Sequence, residues 1–260
     1  MSWSASSRTW CVCQLTLAAI AILCNGATAQ PTFTDNFNTG TDTGWTRYQP
    51  LLPFGAPGNW SFPNGNQYRI QAATSPDAAL GPARAASVRA DLTYTNFVMT
   101  ADLINFDGGL AQSFGLGNRL SSIGLGTTNG YLFLYDPTGV PTATIYRVNG
   151  ENVTDIGNAD ITLIQGVNYR FRFDGTGTNF VGQIFTVANP TVPLITINAT
   201  DAQFASGNPG LVVAANGNGP TGGPADATFD NFFVSPVPEP SSFMLAGAGL
   251  LGWAVRRRRK

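Results

Sequence analysis

The residues able to do chemistry are few, and their types exclude more than they offer. The 260-residue chain has no histidine, a single lysine (Lys260) and three cysteines, Cys11, Cys13 and Cys24, all within the first 29 residues. Beyond those, Ser-His-Asp and Cys-His relays and histidine–zinc centres have no residues to build them. That leaves carboxylates. A retaining glycosidase needs an acid and a nucleophile about 5 Å apart across one bond. Between residues 31 and 237 the only glutamate is Glu151, beside Asn149-Gly150 and Asn152 in a turn-like setting. Asp91, Asp102 and Asp107 could supply a pair; the competing reading is exposed strand aspartates. The balance favours a non-catalytic chain. A hard ion held by oxygens stays open, since Ca²⁺ takes carboxylates and backbone carbonyls. Aromatic side chains able to stack on sugar rings are Trp45, Tyr48, Trp60, Tyr131 and Tyr135, and core packing competes for each of them.

The other chemically distinctive stretch is Val237-Pro238-Glu239-Pro240, followed by an uncharged run over 243–255 and by Arg256-Arg257-Arg258-Arg259-Lys260. The prolines fix φ and remove backbone donors, so the motif is extended. As a helix the thirteen apolar residues span only about 20 Å against roughly 30 Å of hydrocarbon. The five cations belong on the cytoplasmic side. This tail resembles a PEP-CTERM sorting signal, the address that exosortase-type membrane enzymes process in certain Gram-negative bacteria. The resemblance implies a short C-terminal transmembrane helix over 243–255 and an exosortase partner acting at Pro238, Glu239 and Pro240. It also implies a transient stay in the inner membrane, then the cell surface or extracellular matrix. An ordinary anchor on a proline-rich stalk is the alternative.

Residues 1–29 read as a secretory signal helix: Arg8, an apolar run over 15–23, and Ala27-Thr28-Ala29 before Gln30 as a small-x-small site for signal peptidase. Removing this leader takes away every cysteine, so disulfides are excluded from the mature chain. Between 31 and 237 eight arginines face thirteen aspartates and Glu151, a balance near −6. No basic patch for a nucleic acid is present.

What must position any site is a set of short β-type runs, because no helical period of useful length appears over 31–237. The runs fall at 32–37, 44–48, 59–62, 68–71, 85–90, 97–106, 113–116, 131–135, 142–148, 152–156, 169–174, 180–187, 194–198, 211–215 and 227–234, separated by Gly, Asn, Asp and Pro clusters. Tyr169-Arg170-Phe171-Arg172-Phe173-Asp174 has the strict two-residue period of a half-buried strand, with a turn expected over 174–177. Strands at this spacing predict an all-β sandwich of two antiparallel sheets.

The order of these motifs resembles the concanavalin A-like lectin/glucanase (LamG-like) jelly-roll superfamily. Its carriers are Asp35-Asn36-Phe37, Gly44-Trp45, Gly58-Asn59-Trp60, the strand over 97–104, the 169–174 to 180–187 hairpin and a closing Phe229-Asp230-Asn231-Phe232. The resemblance implies a jelly-roll sandwich over 30–235 between the leader and a sorting segment over 236–260. It implies that the first and last strands lie together, and that Asp230, with Asp35 nearby, would help hold a structural Ca²⁺; otherwise both aspartates cap strand ends or face water. The paired glutamates of the superfamily's glucanases are missing. The functional expectation is an exported carbohydrate-binding or structural component of an extracellular polysaccharide, biofilm-type matrix. A polysaccharide hydrolase or lyase and a protein–protein adhesion module are the alternatives. No sugar-binding residue is singled out.

Overall fold

The strand Tyr169–Thr176 shows how the pattern becomes a sheet. Tyr169, Phe171 and Phe173 are buried, and Arg170, Arg172 and Asp174 stand on the opposite face, as alternating strand side chains must. The expected hairpin forms with Asn179–Thr186, Thr176 facing Asn179. Its turn is therefore the pair Gly177-Thr178, with Gly177 at φ +57°, the left-handed conformation such turns ask of glycine. The turn expected from Asp174 onward starts later, because residues 174–176 still pair across the hairpin.

The computed structural model describes residues 30–237. The signal helix with Ala27 and Ala29, the Pro238-Glu239-Pro240 motif, the 243–255 helix and the 256–260 tail lie outside the described residues. Among the described residues no helix is long and apolar enough to cross a membrane.

Among the described residues fifteen strands form two antiparallel sheets. The first sheet runs in the order β13 (Ile195–Thr200), β12 (Asn179–Thr186), β11 (Tyr169–Thr176), β6 (Phe97–Phe106), β15 (Ala225–Pro236), β4 (Tyr68–Ala72), β3 (Gly58–Ser61), with β1 (Phe33–Asp35) also on β15. The second runs β10 (Asn152–Asp160), β9 (Thr142–Asn149), β8 (Asn129–Asp136), β7 (Gln112–Ser121), β14 (Asn208–Asn218), β5 (Pro82–Val88), β2 (Thr46–Tyr48). Their facing sides enclose one core in which Phe97, Phe114, Phe133, Phe171, Phe173 and Phe180 are fully buried.

The first and last strands do lie together: Phe33 faces Val234 and Asp35 faces Phe232. On the same edge β15 first pairs with β4, Ala225 to Phe229, and then passes to β1. Between the two partners its register against β6 shifts from Asp230–Asp102 to Phe233–Thr100, one extra residue on β15. Asn231 absorbs this bulge at φ +50°, a conformation asparagine tolerates better than most residues. Under the junction Trp45 packs 4.9 Å from Phe232 and Phe37 stacks 4.7 Å from Tyr68. The Trp45 Nε1–H donates to Asp35 at 2.8 Å.

The two outer faces differ in kind. On the first sheet charges neutralise one another: Arg170 pairs with Asp102 at 2.7 Å, Arg172 with Asp174 at 2.7 Å, and Arg69 with Asp226. On the second sheet Ala86, Val88 and Leu120 form a separate apolar cluster, with Tyr48, Ile123, Leu132 and Val212 against it.

Candidate ligand-binding groove

That apolar outer face is the floor of a groove of about 830 Å³, within the size range of small-molecule sites. The strand Asn129–Asp136 contributes because its middle is apolar on both sides. Tyr131, Phe133 and Tyr135 point into the core, which leaves Leu132 and Leu134 for the groove. Tyr48 and Tyr146 bring rings to the lining, and Asn152, Asn216 and Asn218 bring amides.

One end of the groove is fastened by Glu151. Gly150 and Glu151 form the two-residue turn between β9 and β10, at φ +57° and +64°. Both Glu151 oxygens receive Arg84, Nε and one Nη each at 2.8 Å. Tyr48 Oη–H and the Gly126 N–H donate to the same carboxylate. Arg84 in turn donates to the carbonyls of Leu80 at 3.0 Å and Pro82 at 2.7 Å. One carboxylate thus joins β2, β5, the β7–β8 loop and the β9–β10 turn. Burial alone would raise its pKa, but the hydrogen bonds from Arg84, Tyr48 and Gly126 outweigh it and hold the carboxyl below its ordinary value. Burial, then the hydrogen bond to Glu151, pushes the Tyr48 phenol up to about 12, so it stays a neutral donor.

The aromatic candidates divide. Trp45, Trp60, Tyr131 and Tyr135 belong to the core, and only Tyr48 reaches the groove. The phenols of the two buried tyrosines are occupied: Tyr131 donates to Asp201 at 2.7 Å, and Tyr135 accepts the Leu163 N–H at 3.0 Å. The candidate carboxylates are not brought together as an acid–nucleophile pair. Asp102 binds Arg170, Asp91 binds Arg89, and Asp107 accepts the Gly109 N–H at its own turn. The turn position of Glu151 matches its sequence setting, but its role as a fastener depends on Arg84, 67 residues away. The signal available in sequence was that this is the only glutamate between 31 and 237.

Asp230 sits in the β15 bulge, its Oδ1 accepting the Asn231 N–H at 2.7 Å. Burial, then the neighbouring Asp102 and Asp35 charges, push its carboxyl above the ordinary value. Both neighbours are engaged. Asp35 accepts the Phe37 N–H and the Trp45 indole, and Asp102 accepts Arg170 and Asn231. Among the described residues no three carboxylate, histidine or cysteine side chains gather as a metal-holding group. These side chains alone do not make up the six to eight oxygens of a Ca²⁺ site.

Residues 236–259 match the family described as the PEP-CTERM protein-sorting motif. No curated protein matches the chain in sequence. Among solved structures, a Bacillus subtilis protein of unknown function with a galectin-like fold superposes with a TM-score of 0.55 and 12% identity, over 78% of this chain and 94% of that one. The Ca²⁺-bound exoplasmic/lumenal domain of VIP36 gives 0.53 and 8%, over 81% and 92%. Lectin UEA-II complexed with galactose gives 0.52 and 8%, over 80% and 99%. Identities this low speak for the fold alone. The described residues therefore have a two-sheet antiparallel jelly-roll fold of the build seen in these lectin and galectin-like structures, and residues 236–259 carry a PEP-CTERM protein-sorting motif.

Proposed function

We propose that this is an exported, non-catalytic component of an extracellular polysaccharide matrix, sorted by an exosortase, and that the groove on the second sheet binds a neutral sugar chain. The observation that carries the reading is the groove itself: an apolar floor, two tyrosines, amide groups on the lining, and an ion pair already satisfied within the protein. Ring faces stack on the C–H faces of sugars, and amides read hydroxyls. An acidic polymer would meet Asp136 and Glu151 with no free cation to offset it. One of the similar structures, lectin UEA-II, is complexed with galactose, which supports a sugar as the ligand class. The matrix link comes from the sorting motif.

The groove's chemistry also favours binding over turnover. A glycosidase acid is kept protonated by a raised pKa, whereas Glu151 is held ionised by Arg84. Asp136 accepts the N–H of Thr138 at 2.7 Å and closes its own turn. A glycan array probed with residues 30–237 tests the reading. Neutral glycans should bind, with little loss in high salt, and Tyr146→Ala should abolish the signal without lowering the melting temperature. Release of reducing sugar would turn the reading to an enzyme. Binding to no glycan would turn it to protein–protein adhesion.

A further inference from the structure

The sorting motif begins at residue 236, and β15 ends at Pro236. Address and fold overlap, with no spacer between them. The strand carrying the address is an interior strand. Against β6, Val234, Ser235 and Pro236 face Met99, Val98 and Phe97. One residue later the Val237 N–H still donates to the Asn96 carbonyl at 3.1 Å. On the other edge Phe33 faces Val234, and the next pair outward, Thr32 and Ser235, is joined hydroxyl to hydroxyl at 2.8 Å.

The beginning of the mature chain lies at the same end of the sandwich. The Tyr94 hydroxyl donates to the Pro31 carbonyl at 2.5 Å. This end is also stiff. Arg119 is buried at 1% exposure and gives its guanidinium to the carbonyls of Thr95, Phe204 and Gly177, at 2.6 to 3.0 Å, tying three loops together. Against that scaffold, residues 235–237 are held by the pairing to β6, the Val237–Asn96 bond and the Thr32–Ser235 bond.

We infer that the membrane enzyme engaging the sorting motif must first draw residues 235–237 out of the sheet, so that the pairing of this strand end sets the rate of processing. The inference rests on the sorting reading. An enzyme cleft takes its substrate as extended chain at about 3.3 Å per residue, and a cleft that grips the matched motif from its first residue, 236, reaches into the paired end of β15.

The test uses the full-length protein in cells that hold the processing enzyme, reading loss of the tail by mass shift in a pulse–chase. A twelve-residue Gly/Ser spacer between Val237 and Pro238 should speed tail loss several-fold. The Thr32→Cys/Ser235→Cys pair, oxidised, should slow it several-fold, and dithiothreitol should restore the rate; the three native cysteines, Cys11, Cys13 and Cys24, are changed to serine in every variant so that none interferes. The single Ser235→Cys variant should process normally, which separates the lock from misfolding. If neither spacer nor lock changes the rate, the inference is overturned. If the unaltered protein never loses its tail, or loses it equally well with Pro238, Glu239 and Pro240 all changed to alanine, the sorting reading itself has failed.

Discussion

Glu151 occupies a backbone conformation, φ +64°, that costs a side-chain-bearing residue about 1–2 kcal/mol and glycine almost nothing. What holds it there is the bidentate pair with Arg84, with the two side chains only 14% and 12% exposed. Removing one partner of a buried pair typically costs about 3–5 kcal/mol. The residual exposure here reduces the expectation for Glu151→Gln to about 2–3 kcal/mol at pH 7. The sign with pH follows from the lowered carboxyl. A depressed folded pKa contributes stability that is full above the unfolded value, about 4.5, and fades as pH falls through the folded one. The gap between wild type and Glu151→Gln should be complete at pH 7 and close progressively below pH 4.5. Urea unfolding at pH 7 and pH 3 measures it, and an equal gap at both would show that charge is not what fastens the turn.

At the scale of elements, glycine decides how closely strands approach. Gly182 on β12 faces inward, and a Cβ there would lie 2.6 Å from ring carbons of Phe133. Phe133 is fully buried, with Phe171 and Phe173 at 5.8 and 6.0 Å, so its ring has little room to turn aside. Gly182→Ala should cost about 1–3 kcal/mol by overpacking, and Phe133→Leu in the same chain should recover part of that loss. An unchanged denaturation midpoint for the single variant would show that the ring yields freely. Glycine also limited what could be read from sequence. Each expected run corresponds to a strand, yet β7 was expected over 113–116 and extends from Gln112 to Ser121. Gly115, Gly117 and Asn118 look like breakers, but Gly115 lies at φ +154° with the Phe133 carbonyl where its Cβ would be, so it is required within the strand. β10 likewise continues past residue 156, through a bulge at Ile156 between the Asp155–Tyr146 and Gly157–Ile145 pairs. The groove escaped the reading for a related reason. The run Tyr131-Leu132-Phe133-Leu134-Tyr135 is apolar on both faces, and an apolar run by itself does not tell a strand buried twice from one that lines a groove.

For the whole molecule, arginine is placed to meet carboxylate: among the described residues seven of the eight arginines are ion-paired, although carboxylates outnumber arginines by six. The first sheet's outer face carries crossed Arg–Asp pairs, the groove's pair is internal, and Arg147 reaches Asp201 at 3.0 Å. Asp230 departs from that plan, facing Asp102 across the sheet at the seam where first and last strands close the sandwich. Its raised carboxyl means the folded state holds a proton there more tightly than the unfolded chain does. The cost of ionising it is present above the folded pKa and is relieved as pH falls. With EDTA present, Asp230→Asn should therefore melt higher than wild type at pH 7, and the two should converge below about pH 3.8, the ordinary aspartate value. The structural Ca²⁺ that the jelly-roll resemblance implies for this position makes a separable prediction, because a ligand bound only by the folded state raises its melting temperature. An ion held there, with backbone carbonyls completing its oxygens, would let millimolar Ca²⁺ raise the wild type and leave Asp230→Asn unmoved. If calcium shifts neither protein while the asparagine variant keeps its advantage in EDTA, like-charge repulsion is the whole account of Asp230. The seam would then be closed by Trp45, Phe37 and Phe232 without an ion.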